Sequence, residues 1–256
     1  MYVPDPKILA LLRIADSVVV LTGSGVSAES GIPTFRDALT GLWSKFDPAD
    51  LATPEAFARD PAMVSRWYDE RRRNVAKCTP NAGHIALVAL QRRILAAGKR
   101  FTLITQNVDR LHQAAGSTDV IELHGTLWTW RCMDCGVETE ERGPAFDVYP
   151  PRCVCGGPRR PAVVWFGEEL PKHEHLKAQR AAGSCRLFIS LGTSAVVHPA
   201  AGLIDLALRN GAQLLEVNPQ ETPYSHRAHW CIRGPSGEVL PRLMDAVFVS
   251  DKTPAG

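Results

Sequence analysis

Short apolar runs recur along this chain, each followed by a glycine or a polar turn: Ser17 to Leu21, Phe101 to Thr105, Val120 to Leu123, Ala162 to Phe166, Leu187 to Leu191 and Leu214 to Val217. Runs this short, rich in Val, Ile, Leu and Phe, read as strands buried on both faces. Segments of a different period separate most of them. Leu87, Leu90, Ile94 and Leu95 fall at helical spacing within Ile85 to Ala97, and Ala200 to Arg209 is a second such segment, closed by Asn210-Gly211. Strands alternating with helices predict an α/β fold, a Rossmann-like parallel sheet with helices on both faces.

Two stretches break the alternation. Residues 40–78 are helical in pattern and rich in Trp, Tyr and Arg, while residues 131–160 carry paired cysteines with Pro144, Pro150, Pro151 and Pro158. The reading is one Rossmann-like domain built from 1–39, 79–130 and 161–256. The helical insert 40–78 and a zinc-ribbon insert 131–160 form a small module over the sheet's edge.

The cysteine spacing is Cys132-x2-Cys135, a 17-residue gap, then Cys153-x-Cys155. Paired thiols flanked by Gly136, Gly156 and Gly157 match a tetrahedral Zn²⁺ site, the second pair being one residue short of the usual template. Four thiolates fill the tetrahedron and leave no position for water, so the metal is structural. With four of seven cysteines so used, Cys78, Cys185 and Cys231 remain as free thiols, which suits a reducing compartment. Net charge is +2, and no basic run exceeds Arg71-Arg72-Arg73, so nothing marks a dedicated nucleic-acid surface. No apolar stretch is long enough to span a membrane and the first residues lack a signal-peptide layout, so a cytoplasmic location is expected.

Candidate chemistry starts after the first strand. Gly23-Ser24-Gly25-Val26-Ser27-Ala28 satisfies G-x-G-x-x-G/A between a strand and a helix, where glycines let the backbone approach a pyrophosphate and a helix N-terminus favours anions. A tight turn alone would also select glycine. The ribose-binding acid of an ordinary dehydrogenase is missing from its usual place; Asp47 and Asp50 lie at that distance but in the helical insert.

Taken in order, Gly23 to Arg36 (G-S-G-V-S-A-E-S-G-I-P-T-F-R), Thr105-Gln106-Asn107-Val108-Asp109, His124-Gly125, the four cysteines, Val164-Trp165-Phe166-Gly167-Glu168, Gly192-Thr193-Ser194 and Glu216-Val217-Asn218 resemble the motif set of the sirtuins, the NAD-dependent protein deacylases. The resemblance runs from about residue 8 to 245. It departs from the common pattern at Ser24, where alanine is usual, and at the shortened second cysteine pair.

By that resemblance, NAD is held by Gly23, Ser24, Gly25, Ala28, Glu29, Ile32, Pro33, Phe35, Arg36 and Trp43 of the first loop region. Gln106, Asn107 and Asp109 line the nicotinamide and ribose pocket, Gly192, Thr193 and Ser194 face phosphate, Asn218, Pro219 and Gln220 the adenosine ribose, and Ser236 the adenine. His124 is the implied catalytic base. In the sirtuin reaction the acyl-lysine amide oxygen attacks the ribose carbon as nicotinamide leaves. The histidine then accepts a proton from a ribose hydroxyl, and water completes the transfer to give lysine and acyl-ADP-ribose. Val164, Phe166, Gly167, Glu168 and Val197 are the implied edges between which an acylated substrate peptide adds as a strand.

Within the family, Tyr68-x-x-Arg71 and Ala38 resemble the class III members, which bind acidic acyl groups such as succinyl. Independently of the name, residues three apart share a helix face, and a guanidinium with a phenol can hold a carboxylate. The alternative is a solvated basic helix over a packed Tyr68, and Arg72 and Arg73 are expected to be such solvated residues. Three functional readings stand at this point. They are a desuccinylase, demalonylase and deacetylase, a sirtuin-type deacetylase without acidic-acyl preference, and a non-catalytic NAD-binding zinc protein. A Rossmann dehydrogenase is disfavoured by the missing ribose acid.

Overall fold

The computed structural model describes residues 5–33 and 51–248. Six strands form a wholly parallel sheet in the order β3-β2-β1-β7-β8-β9: β1 is Ser17–Thr22, β2 Arg100–Thr105, β3 Ile121–Glu122, β7 Leu187–Leu191, β8 Gln213–Val217 and β9 Trp230–Ile232. A second, antiparallel sheet has the order β5-β4-β6, with β4 at Gly125–Cys132, β5 at Glu138–Glu140 and β6 at Arg159–Val163.

Alternation along β1 divides the main core. Val18 and Val20 join a cluster with Leu87, Leu90, Leu240 and Leu243, while Val19 and Leu21 join one with Ala178, Phe188 and Ile204. Successive side chains thus feed the helical layers on opposite faces, which is why the strand reads as an unbroken apolar run. A third cluster joins Phe57, Val64, Trp67 and Tyr68 of the helical segment to Leu127, Trp128, Trp130, Val163 and Trp165 of the small sheet. Its helices start where the sequence offers caps: Thr53 accepts from the Ala56 amide ahead of Pro54–Arg59, and Asp60 from the Met63 amide ahead of Pro61–Val75.

The structure corrects one expected strand. Ala162 to Phe166 does not lie in the parallel sheet; the strand is Arg159–Val163, paired antiparallel with β4. Val163 and Trp165 pack into the third cluster and Val164 against the second, so the run is apolar because it bridges two cores. Strands β4 and β9 were not anticipated, and Val120 to Leu123 contributes only Ile121–Glu122 to the sheet. No helix among the described residues is long and apolar enough to cross a membrane.

Candidate active site

The carboxyl ends of β1, β2 and β7 meet at one edge, where open α/β sheets bind ligands. Here the Gly23–Ala28 loop lies directly on the Gly192-Thr193 loop. The Gly25 amide donates to the Gly192 carbonyl at 2.9 Å, and a Cβ on Gly25 would sit 2.8 Å from that oxygen. These glycines are therefore demanded by loop-on-loop contact, whatever phosphate they also admit. Thr193 accepts from the Gln106 amide side chain at 3.1 Å, which ties this pair of loops to the end of β2.

Three polar side chains interlock beside them. Ser27 Oγ donates to Asp109 Oδ2 at 2.7 Å and accepts from Asn107 Nδ2 at 3.1 Å, while Asp109 Oδ1 accepts the Leu111 amide at 2.8 Å. Burial pushes the Asp109 carboxyl above its ordinary value, against the pull of the Leu111 amide and Ser27. Asn81 steadies the same loop from behind. It caps helix Ala82–Ala96 and donates from its side chain to the Val26 carbonyl at 2.8 Å and Ser30 Oγ at 3.0 Å. Neither Ser27's bridging role nor Asn81 was singled out from sequence; the cap signal at Asn81-Ala82-Gly83-His84 was the available clue.

His124 stands where the chain leaves the parallel sheet for the small one. Its Nδ1 lies 3.1 Å from the Gln106 backbone carbonyl. A carbonyl only accepts, so Nδ1 carries the hydrogen and the lone pair is on Nε2. Burial, which outweighs the opposing Gln106 contact, lowers the His124 pKa from its ordinary value, and this lowering keeps the imidazole neutral and able to take a proton. Gly125, at φ +70°, holds this crossing: a Cβ there would lie 2.0 Å from the Ala162 carbonyl oxygen.

Further along the same carboxyl edge, Asn218 follows β8 and turns its side-chain amide onto the Gln220 carbonyl at 2.8 Å, with Pro219 exposed between them. Ser236 opens the last helix, Ser236–Phe248. The Glu29 carboxylate accepts the Gly237 amide at 2.7 Å and so caps that helix. Ser24, Ala28, Ile32, Pro33 and Ser194 lie in or beside these loops, whereas Phe35, Arg36, Ala38, Trp43, Asp47 and Asp50 fall outside the described residues.

Helix Pro61–Val75 brings Tyr68 and Arg71 to the same region. The Arg71 guanidinium lies 4.8 Å from the Trp67 ring centre and 5.7 Å from that of Tyr68, and it is close enough to Asp109 for the two charges to interact. Burial lowers the Arg71 pKa and pushes the Tyr68 phenol up to about 12, so Tyr68 keeps its proton. Arg72 is not the solvated residue expected from sequence: its side chain is 1% exposed. It donates to Asp69 at 2.6 Å and 3.0 Å and to the carbonyls of Glu141, Gly143 and Pro144. Tyr149 OH reaches the other Asp69 oxygen at 2.6 Å, and Arg73, half-exposed, reaches it at 3.2 Å. The acid at i−3 compensates the arginine charge, which is why a basic helix face could turn inward.

Beyond β6, the Val164 amide donates to the His124 carbonyl at 2.9 Å and the Phe166 amide to that of Ala52 at 2.8 Å. Phe166 is 46% exposed, Gly167 turns at φ +86°, and Glu168 is clamped by Arg160 at 2.6 and 2.9 Å. Val197 is half-buried in the loop after β7, where Ala195 holds a left-handed φ of +53°, uncommon for a residue with a side chain.

The four cysteine sulfurs converge to within 4.8 Å of one another, with Cys132 and Cys155 at 3.5 Å and Cys135 and Cys153 at 3.7 Å. Zn–S bonds of about 2.3 Å in a tetrahedron place sulfurs roughly 3.8 Å apart, so the shortened second pair fits the ion.

A model of the Sir2 family matches residues 23–199. The chain belongs to the Sir2 family. An NAD-dependent protein deacylase of Pseudomonas aeruginosa is 51% identical to this Sir2 protein over 252 residues, 94% of this chain and 98% of the relative. A Sir2 homologue solved as an NAD complex superposes with a TM-score of 0.90 at 44% identity, covering 96% of this chain and 94% of that one. A Sir2 protein bound to acetylated peptide gives a TM-score of 0.85 at 32% identity, over 95% and 98% of the two chains. Zinc in this Sir2 protein is held by Cys132, Cys135, Cys153 and Cys155, and NAD is its cofactor.

Proposed function

We propose that this NAD-dependent protein deacylase removes acidic acyl groups, succinyl or malonyl, from protein lysines in preference to acetyl, which it also removes. The observation that carries the preference is the pairing of Tyr68 and Arg71 on one helix face, beside Asp109 and its Ser27–Asn107 network. A phenol that keeps its proton and a guanidinium offer charge-assisted donors to a distal carboxylate, which an acetyl group lacks.

NAD, when bound, supplies an electrophilic ribose carbon and releases nicotinamide. The chain's own residues do the rest. Gly23 to Ala28 and Gly192 to Ser194 hold the phosphates, Asn218 to Gln220 and Ser236 the adenosine end, and Gln106, Asn107 and Asp109 the nicotinamide ribose. His124 Nε2 accepts a proton from a ribose hydroxyl. The acylated lysine enters with its peptide laid as a strand between Val164–Glu168 and Val197–His198, in keeping with the acetylated peptide bound by the related Sir2 protein.

The test compares kcat/KM for succinyl-lysine and acetyl-lysine peptides with NAD. Hydrogen bonds to charged groups contribute about 1.5–3 kcal/mol, so the succinyl preference is expected to be on the order of ten- to a hundredfold. Arg71→Met should collapse that ratio, mainly through KM for the succinyl substrate. A parent protein that prefers acetyl-lysine defeats the proposal.

A further inference from the structure

Among the described residues only Arg110, Asp119 and Ala195 combine a side chain with a left-handed φ. Arg110, at φ 61° and ψ 23°, directly follows Asp109 and begins the short helix Leu111–Ala115. In this conformation the Cβ crowds the neighbouring backbone, and arginine has no short polar side chain to bond its own main chain as Asn or Asp would. Such a turn persists only where the surroundings impose it.

The turn sets the direction of a carboxylate in the candidate site. Asp109 Oδ1 accepts the Leu111 amide at 2.8 Å, an Asx turn that closes across Arg110. The left-handed residue is what brings that amide round to the carboxylate. Oδ2 is then left for Ser27, which also accepts from Asn107, while the Asp109 main-chain carbonyl is held by Trp128 Nε1 at 2.8 Å.

The Arg110 side chain supplies the restraint. Its Nε and Nη2 lie 3.1 and 3.3 Å from the two carboxylate oxygens of Glu122 on β3, and its Nη1 lies 3.3 Å from Glu140 on β5 of the small module. Glu122 also accepts from Gln113, within the helix that Arg110 begins, at 3.0 Å. With the Arg110 and Glu122 side chains 27% and 20% exposed, this pair is partly withdrawn from water, and its two-pronged geometry fixes direction as well as charge. Glu122 stands two residues before His124. One guanidinium therefore ties the loop of Asp109 to the strand that leads into His124, and both to the small module.

We infer that Arg110 is a positioning residue: its ion pairs with Glu122 and Glu140 hold the left-handed turn that aims the Asp109 carboxylate at Ser27 and Asn107. The inference rests on the reading of Asp109 and His124 as groups of the NAD reaction, and the experiment separates the two. Arg110→Ala keeps the Cβ and loses the ion pairs, whereas Arg110→Gly loses the pairs together with the need for them, since glycine adopts a positive φ freely. In Arg110→Ala, kcat for deacylation is expected to fall on the order of tenfold with KM for the acylated peptide within about twofold of the parent. Arg110→Gly should recover most of that loss. Glu122→Ala should lower kcat part of the way and change nothing further in the Arg110→Gly background, because the two then act through one turn. Hydrogen exchange at the Leu111 amide reads the turn directly: faster in Arg110→Ala and Glu122→Ala, close to the parent in Arg110→Gly. An Arg110→Gly protein as slow as Arg110→Ala, or a kcat unaffected by both Arg110→Ala and Glu122→Ala, overturns the inference. Should Arg110→Ala fold poorly, Glu122→Ala with and without Arg110→Gly decides it, and additive losses overturn it. Failure of the site reading shows separately, as full turnover in His124→Ala; the Leu111 exchange pattern then still decides whether Arg110 holds the turn.

Discussion

The carboxyl edge of the parallel sheet and the small module hold their functional groups by different means. At the sheet edge the anchors are mostly main chain: Gly25 on Gly192, the Leu111 amide on Asp109, the Gln106 carbonyl on His124. Strands of the central sheet fix those backbone positions, and side chains such as Ser27 need only span short gaps. The small module has a sheet with fewer strands and a smaller core, and its shape depends on side-chain cross-links: four thiolates around one metal, and the buried Asp69–Arg72 pair with Tyr149. The sheet edge therefore inherits precision from a ladder, whereas the module must be tied.

The largest test of that contrast is removal of the metal. Elemental analysis should find about one zinc per chain. Stripping the ion, or Cys153→Ser, should lower the melting temperature and unfold the module, since structural zinc contributes on the order of 10 kcal/mol in small domains. A zinc-free protein that melts like its parent would show that the proteinaceous ties suffice.

At the sheet edge the corresponding lesion is His124→Ala, expected to cost ~10²–10⁴-fold in turnover while NAD binding, by calorimetry, stays near that of the parent. Loss of NAD binding in parallel would mean that the imidazole supports the fold of the edge rather than a proton transfer.

Next in size is Arg72→Leu. Breaking a buried ion pair costs about 3–5 kcal/mol, and here the lower end is expected because Arg73 and Tyr149 still reach Asp69. Urea unfolding measures it. A change within about 0.5 kcal/mol, as typical surface substitutions give, would return Arg72 to the solvated class.

The smallest effect concerns pH. The base must be neutral, and burial places the His124 pKa below its ordinary 6.5, so activity is retained at that pH and falls only as pH drops through the lowered value. At pH 6.5 the loss in kcat/KM should be less than about twofold, the loss an ordinary imidazole would show. An acid limb centred above 6.5 would mean that the carbonyl contact outweighs burial at this histidine.

Period and spacing are local properties, and what depends on them was legible in the chain itself. Apolar runs alternating with helical segments specified the parallel sheet, because a continuous apolar run this short, bounded by turns, suits a strand buried on both faces and is too short for a buried helix. Two thiol pairs specified a tetrahedral site, which the converging sulfurs match. The motifs His124-Gly125, Asn107 to Asp109 and Gly23 to Ala28 named residues that the fold draws to one edge. Tertiary structure alone decided which partner each group meets. Ala162 to Phe166 has the composition of a central strand, and only the sheet that β4 offers at Gly125 draws its first residues out of the parallel set. Arg72 and Arg71 are adjacent and chemically identical, yet one turns into carbonyls some 70 residues further along the chain and the other toward Tyr68 and Asp109. Within a helical turn Arg71 has Trp67 and Tyr68 beneath it and Arg72 has Asp69, and the weight of that acid is felt only once the loop at Glu141 to Pro144 closes over it and excludes water.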